Sequence, residues 1–119
     1  MQKLRCYETL YLTRPDLTEE ELAKVQGKLS ETISRHDGEI IRSEKWKERE
    51  LAYRIGDYKK GIYYLLIYKS LPNAVNEMEK NLRFFNTDVL RFITLNIEED
   101  EAIREVDSSK MTGDNGGIL

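Results

Sequence analysis

The side chains most able to act on another molecule lie between Trp46 and Ile55, in the run W-K-E-R-E-L-A-Y-R-I. Lys47, Glu48, Arg49 and Glu50 stand there between Trp46 and the apolar Leu51, Ala52 and Tyr53. The chemistry on offer is recognition rather than bond-making, because an arginine flanked by aromatics beside an open sheet can meet phosphate and base together. The same charge also suits an edge strand blunted against unwanted pairing. The local pattern fits both readings.

Groups that make or break bonds are scarce. Cys6 is the only cysteine, which excludes an intrachain disulfide and a cysteine-based metal site and suits a reducing cytoplasm. His36 is the only histidine, and no serine, cysteine or second histidine is placed to work with it. The carboxylates of Glu19-Glu20-Glu21 and Glu98-Glu99-Asp100-Glu101 fall at a helix start and in a tail, where such groups are solvated. The turns before Glu19 and Pro72 lack the glycines of a phosphate cradle. An enzyme is not expected, nor is a cofactor, a metal or a small-molecule substrate.

A net charge of −3 argues against nucleic-acid binding only until it is divided along the chain. Residues 98–119 hold seven acids against Arg104 and Lys110, a net of −5, which leaves residues 1–97 with 15 acids and 17 bases, a net of +2. A mildly basic body allows a local RNA footprint without a blanket of positive charge. No apolar run is long enough to span a bilayer and the N-terminus lacks a signal-peptide core, so a soluble, intracellular protein without a membrane partner is expected.

The elements that must position these residues follow in order. Lys3 to Thr13 reads as a strand closed by the turn signal Arg14-Pro15-Asp16. Thr18 and Glu21 make a capping box, Leu17 and Leu22 a hydrophobic staple, and Leu22, Val25, Leu29 and Ile33 the stripe of a helix that Gly38 is expected to end in left-handed conformation. His36 falls in its last turn. Glu39 to Ile55 is the second strand, Gly56 to Gly61 a hairpin connection, and Ile62 to Lys69 a third strand, apolar on both faces and therefore central. Pro72 opens a second helix with Val75, Met78, Leu82 and Phe85 as its stripe and Glu79–Arg83 as an i,i+4 pair. Asn86-Thr87-Asp88 breaks it, and Val89 to Ile97 is the fourth strand.

Strand, helix, strand, strand, helix, strand with right-handed crossovers predicts an α+β, ferredoxin-like βαββαβ domain over residues 1–97: a four-stranded antiparallel sheet with two helices on one face. Residues 98–119 read as an acidic, Gly-rich, disordered tail. Strands one, three and four offer apolar side chains to both faces, so the uncovered face is expected to have a partner. Fold alone decides little, since unrelated functions share it. Lys60-Gly61-Ile62-Tyr63-Tyr64-Leu65 partly follows the RNA-recognition pattern, but Ile62 stands where an aromatic should stack and Tyr63 where a small residue is wanted. An autonomous single-stranded RNA binder is thus an alternative reading, with an aromatic core strand as the plain one.

Arg5-x-Tyr7-Glu8, Pro15-Asp16-Leu17, Trp46-x-x-Arg49-x-Leu51-Ala52-Tyr53-x-Ile55, Gly61, Leu82-Arg83 and Val89-Leu90-Arg91 together resemble the bacterial small-subunit ribosomal protein S-six family. The likeness runs from residue 4 to 97. It implies a cytoplasmic, ribosome-associated structural protein that binds the central domain of small-subunit rRNA as a heterodimer with ribosomal protein S-eighteen. On that reading Arg5, Arg49, Arg83 and Arg91 meet rRNA, Lys47 and Arg54 are lesser RNA contacts, and Trp46, Leu51, Tyr53 and Tyr64 meet the partner protein or support that contact. The chain departs from the family pattern at Lys47, Glu48 and Arg54, where Gly, a basic or neutral residue, and Pro are common.

Overall fold

The computed structural model describes residues 3–97, so the expected tail at 98–119 lies outside the described residues. The element order is β1 (Arg5–Thr13), α1 (Glu19–Arg35), β2 (Glu39–Ile55), β3 (Tyr58–Ser70), α2 (Asn73–Phe84) and β4 (Val89–Ile97). The strands form one antiparallel sheet in the order β2-β3-β1-β4, which is the expected ferredoxin-like arrangement and places the charged β2 at an edge.

Helix α1 starts where its sequence says. The Thr18 hydroxyl accepts from the Glu21 backbone N–H at 3.1 Å, and the Glu21 carboxylate accepts from the Thr18 N–H at 3.0 Å. Its end differs from expectation. Asp37, not Gly38, takes the left-handed conformation at φ 57°, and the Gly38 N–H returns to the Ile33 carbonyl at 2.9 Å in a Schellman-type closure. Gly38 is needed for a different reason: a Cβ there would stand 2.3 Å from the Lys69 carbonyl oxygen, so close passage against β3 excludes a side chain. The β2–β3 connection is also tighter than predicted. Only Gly56 and Asp57 separate the strands, with Gly56 at φ 59° as a two-residue hairpin favours, so the Tyr58–Gly61 segment extends β3.

Strand alternation then sorts the apolar residues into two clusters. Tyr7, Tyr11, Ile62, Tyr64, Leu66 and Tyr68 face the helices, where Val25, Leu29 and Ile33 of α1 and Met78 and Leu82 of α2 complete the core. Each such aliphatic, fully buried, stabilises by roughly 1.5–3 kcal/mol. Thr32, which the stripe did not include, ties the helices together: its hydroxyl donates to the Lys28 carbonyl at 2.9 Å and accepts from Asn81 Nδ2 at 2.7 Å. On the opposite face Leu10, Leu12, Tyr63, Leu65 and Ile67 form a second cluster, flanked by half-buried Trp46, Leu51, Ile55, Leu90 and Ile93.

Arg14, read from sequence only as part of a turn, clasps the end of the fold. Its guanidinium pairs with Asp16 at 3.0 Å, Glu21 at 2.7 Å and Asp88 at 3.0 Å, joining the β1–α1 turn to the start of β4. The Arg14 hydrogen bond holds the Asp16 carboxyl below its usual range, and the Thr18 backbone and hydroxyl hold that of Glu21 down, with Arg14 adding to it. This arginine is committed to the scaffold.

Candidate nucleic-acid interface

The helix-free face gathers some of the predicted contact residues into one row. Lys47 pairs with Tyr63, Tyr63 with Leu12, and Leu12 with Arg91, crossing all four strands. At the interstrand spacing the two end residues stand about 14 Å apart, too far for one phosphate to bridge, so they would act as separate contacts. Arg49 opposes Gly61 two residues further along β2. A Cβ at Gly61 would meet Leu12 Cδ1 at 2.5 Å and the Thr13 carbonyl oxygen at 2.9 Å, so glycine lets Leu12 lie across β3 at this point.

Two irregularities in β2 shape the site. Between Lys45 and Lys47 the register slips by one residue, and Trp46, the extra residue, turns its ring edge-on to Tyr63 with centroids 5.9 Å apart. Lys47 Nζ sits 5.0 Å from the Trp46 ring centroid, a cation–π arrangement. Between Glu50 and Ile55 the ladder breaks again, and Leu51 and Ile55 join the second cluster while Tyr53 remains 79% exposed. Leu12, Arg49, Leu51, Tyr53, Tyr63 and Arg91 line a concavity of about 460 Å³ at this end of the face. Further along the same face Arg42 pairs with Glu44 at 3.0 Å, which neutralises that part of the edge.

Other predicted residues lie elsewhere. Arg5 is exposed at the start of β1, opposite Ser70 and at the other end of the sheet from Lys47 and Arg49. Arg83 lies on the helix side, with its guanidinium 5.7 Å over the Phe92 ring and Nη2 3.8 Å from Glu79. Arg54 is exposed in the β2–β3 hairpin. Tyr64 is buried beneath the helices, stacked on Tyr11 with centroids 5.4 Å apart, and burial raises its hydroxyl pKa, the Glu48 charge adding to that. It therefore has no direct access to a partner on the helix-free face. Tyr63 is the tyrosine on the helix-free face, where at 8% exposure it forms part of the floor of the second cluster. Strand parity told the two tyrosines apart but not which of them the helices cover.

Residues 6–96 match the family described as Ribosomal protein S6. The chain belongs to the Ribosomal protein S6 family. It is 34% identical over 104 residues to small ribosomal subunit protein bS6 of Sulfurovum sp., covering 87% of this chain and 81% of that protein. Against the bS6 protein of Desulfitobacterium hafniense identity is also 34%, covering 81% of this chain and all of the relative, and against that of Helicobacter pylori 37%, covering 84% and 70%. The crystal structure of 30S ribosomal protein S6 from Thermotoga maritima superposes with a TM-score of 0.70 at 23% identity, covering 89% of this chain and 98% of that one. The C-terminal domain of MgtC from Mycobacterium tuberculosis shares the fold at 12% identity and a TM-score of 0.54, covering 81% and 90%. That likeness illustrates how little the fold alone says of function. The S6 family is structural, so this chain is a ribosomal protein and not an enzyme. Among the described residues no helix is long and apolar enough to cross a membrane.

Proposed function

We propose that this protein is a structural component of the small ribosomal subunit that binds the central domain of small-subunit rRNA together with ribosomal protein S-eighteen, through the helix-free face of its sheet. The observation carrying this reading is the row Lys47–Tyr63–Leu12–Arg91: cations at both edges of one face with an apolar, aromatic floor between them. Arg49, Arg91 and Lys47 meet rRNA phosphate on this reading, with Arg54, Arg5 and Arg83 as outlying contacts. Trp46, Leu51 and Tyr53 meet the partner, and Tyr63 takes the position first given to Tyr64. A body of net charge +2 releases few counterions, so apolar contact with a partner supplies free energy that the cations alone do not. Protein association and RNA binding are then thermodynamically coupled.

The alternative, an autonomous single-strand binder, loses its support in the geometry. Ile62 and Tyr64, which stand where stacking aromatics are wanted, both face the helices. The two readings separate in a titration of the lone protein with unstructured RNA and with a central-domain rRNA fragment, with and without the partner. Weak binding alone and a substantial gain on adding the partner is expected. Tight, partner-independent binding to short single strands would sink the ribosomal reading, and indifference to the partner on the rRNA fragment would sink the coupling.

A further inference from the structure

The positive charge of the body is not spread over it. Residues 45–61 carry Lys45, Lys47, Arg49, Arg54, Lys59 and Lys60 against Glu48, Glu50 and Asp57, a net of +3, while the rest of residues 1–97 holds eleven bases and twelve acids, a net of −1. Much of this segment projects beyond the sheet. Pairing of β3 with β1 stops at Ile62–Thr13, so Tyr58 to Gly61 are held only by β2. Within the projecting arm Glu50 opposes Lys60 and Ile55 opposes Tyr58, which leaves residues 51–54 bulged out opposite Lys59. Leu51 and Ile55 anchor the arm to the second cluster.

Along the rest of the body and at the base of this segment several cations are neutralised. Arg14 meets three acids, Arg35 pairs with Glu77, Arg42 with Glu44, Lys45 with Glu48 and Arg83 with Glu79. Arg54, Lys59 and Lys60 are exposed and form no ion pair with an acid among the described residues. A two-stranded arm with cations near its tip that form no ion pair among the described residues meets the needs of a polyanion backbone better than those of an apolar partner, since phosphate contacts need charge and position but no pocket.

We propose that the β2–β3 arm is a second rRNA contact, in which Lys59, Lys60 and Arg54 hold phosphates of an RNA segment separate from the one on the helix-free face. This rests on the rRNA-binding reading above. The test measures binding of the full chain, with its partner protein, to the central-domain rRNA fragment across a salt series. Lys59→Gln/Lys60→Gln is compared with Lys24→Gln/Lys28→Gln, the same charge change on α1. Loss of the arm lysines should weaken binding about tenfold at low salt and lower the log–log salt slope by about 1–2, with partner affinity unchanged and the α1 control near the unaltered protein. An unchanged slope, a loss equal to the control, or a loss of partner affinity instead of RNA affinity would overturn the arm. Arg49→Ala/Arg91→Ala in the same series keeps the two proposals apart. A silent lysine pair with an effective arginine pair removes the arm and leaves the face, and the reverse result removes the face and leaves the arm. No binding by the unaltered proteins would sink both.

Discussion

On β3, Tyr68 turns toward the helices and Tyr63 turns away from them, and the surroundings of the two differ in kind. The Tyr68 hydroxyl lies 3.2 Å from Thr9 Oγ1, which itself lies 2.8 Å from Thr94 Oγ1, and the Tyr68 ring packs 5.6 Å from Tyr7. Tyr63 instead meets Trp46 edge-on, beneath a rim of cations. The helix-covered face closes its polar atoms on one another, while the helix-free face combines an apolar floor with charge at its edges. The first arrangement stabilises a chain folding alone. The second sets cations at the rim of an apolar floor, the arrangement on which the proposed contact rests.

Truncation should expose this difference most sharply. Leu82 is 1% exposed under α2, so Leu82→Ala is expected to cost 2–5 kcal/mol of unfolding free energy, on the order of other buried leucine truncations. Leu51, half-buried at the edge of the second cluster, should cost about 1 kcal/mol and weaken partner binding in a folded protein. Denaturant titration of both variants checks this, and equal costs would contradict the half-buried placement of Leu51.

Alkali should act next, and on the covered face. Burial pushes the hydroxyls of Tyr11 and Tyr68 up to about 12 from an ordinary 10. Below pH 10 both are neutral, folded or unfolded. Above it the unfolded chain ionises first, so stability present at neutral pH is lost as pH rises from about 10 through 12, by roughly a few kcal/mol. The denaturation midpoint should fall over that window, and Tyr11→Phe/Tyr68→Phe should flatten the fall. A midpoint that holds steady to pH 12 in the unaltered protein would contradict the burial assigned to these hydroxyls.

Much of this division was legible before the structure. The Thr18–Glu21 box, the stripes and the β2, β4 limits all follow from local chemistry, and so did the dual apolar character of β3. What was not legible depends on contacts far apart in sequence. The need for glycine at position 38 comes from Lys69, and the role of Arg14 comes from Asp88. The bulge at Trp46 shifts the parity of β2, so counting along the strand from the charged run could not say which of its residues share a face with Tyr63. The charged segment accordingly falls on the edge strand β2, whereas Tyr64 falls on the helix-covered face and Tyr63 on the other.

The smallest effect gives the finest test, because it removes one oxygen from each face. Tyr68→Phe deletes a hydroxyl that is buried and hydrogen-bonded to Thr9, although Thr9 keeps Thr94 as a partner, so no buried polar atom is left stranded. The expected cost is therefore that of one net hydrogen bond, about 1 kcal/mol. Tyr63→Phe keeps the ring that Trp46 packs against, and the Tyr63 hydroxyl has no hydrogen bond among the described residues, so stability should stay within about 0.5 kcal/mol. The order should reverse in assembly. Tyr68→Phe leaves the helix-free face untouched and should bind the partner normally, whereas Tyr63→Phe changes the floor of the proposed contact and is the variant expected to weaken it. Equilibrium unfolding and partner titration on the same two proteins give both orders at once. If Tyr63→Phe costs as much stability as Tyr68→Phe and leaves association unchanged, the helix-free face is a second core rather than a docking surface.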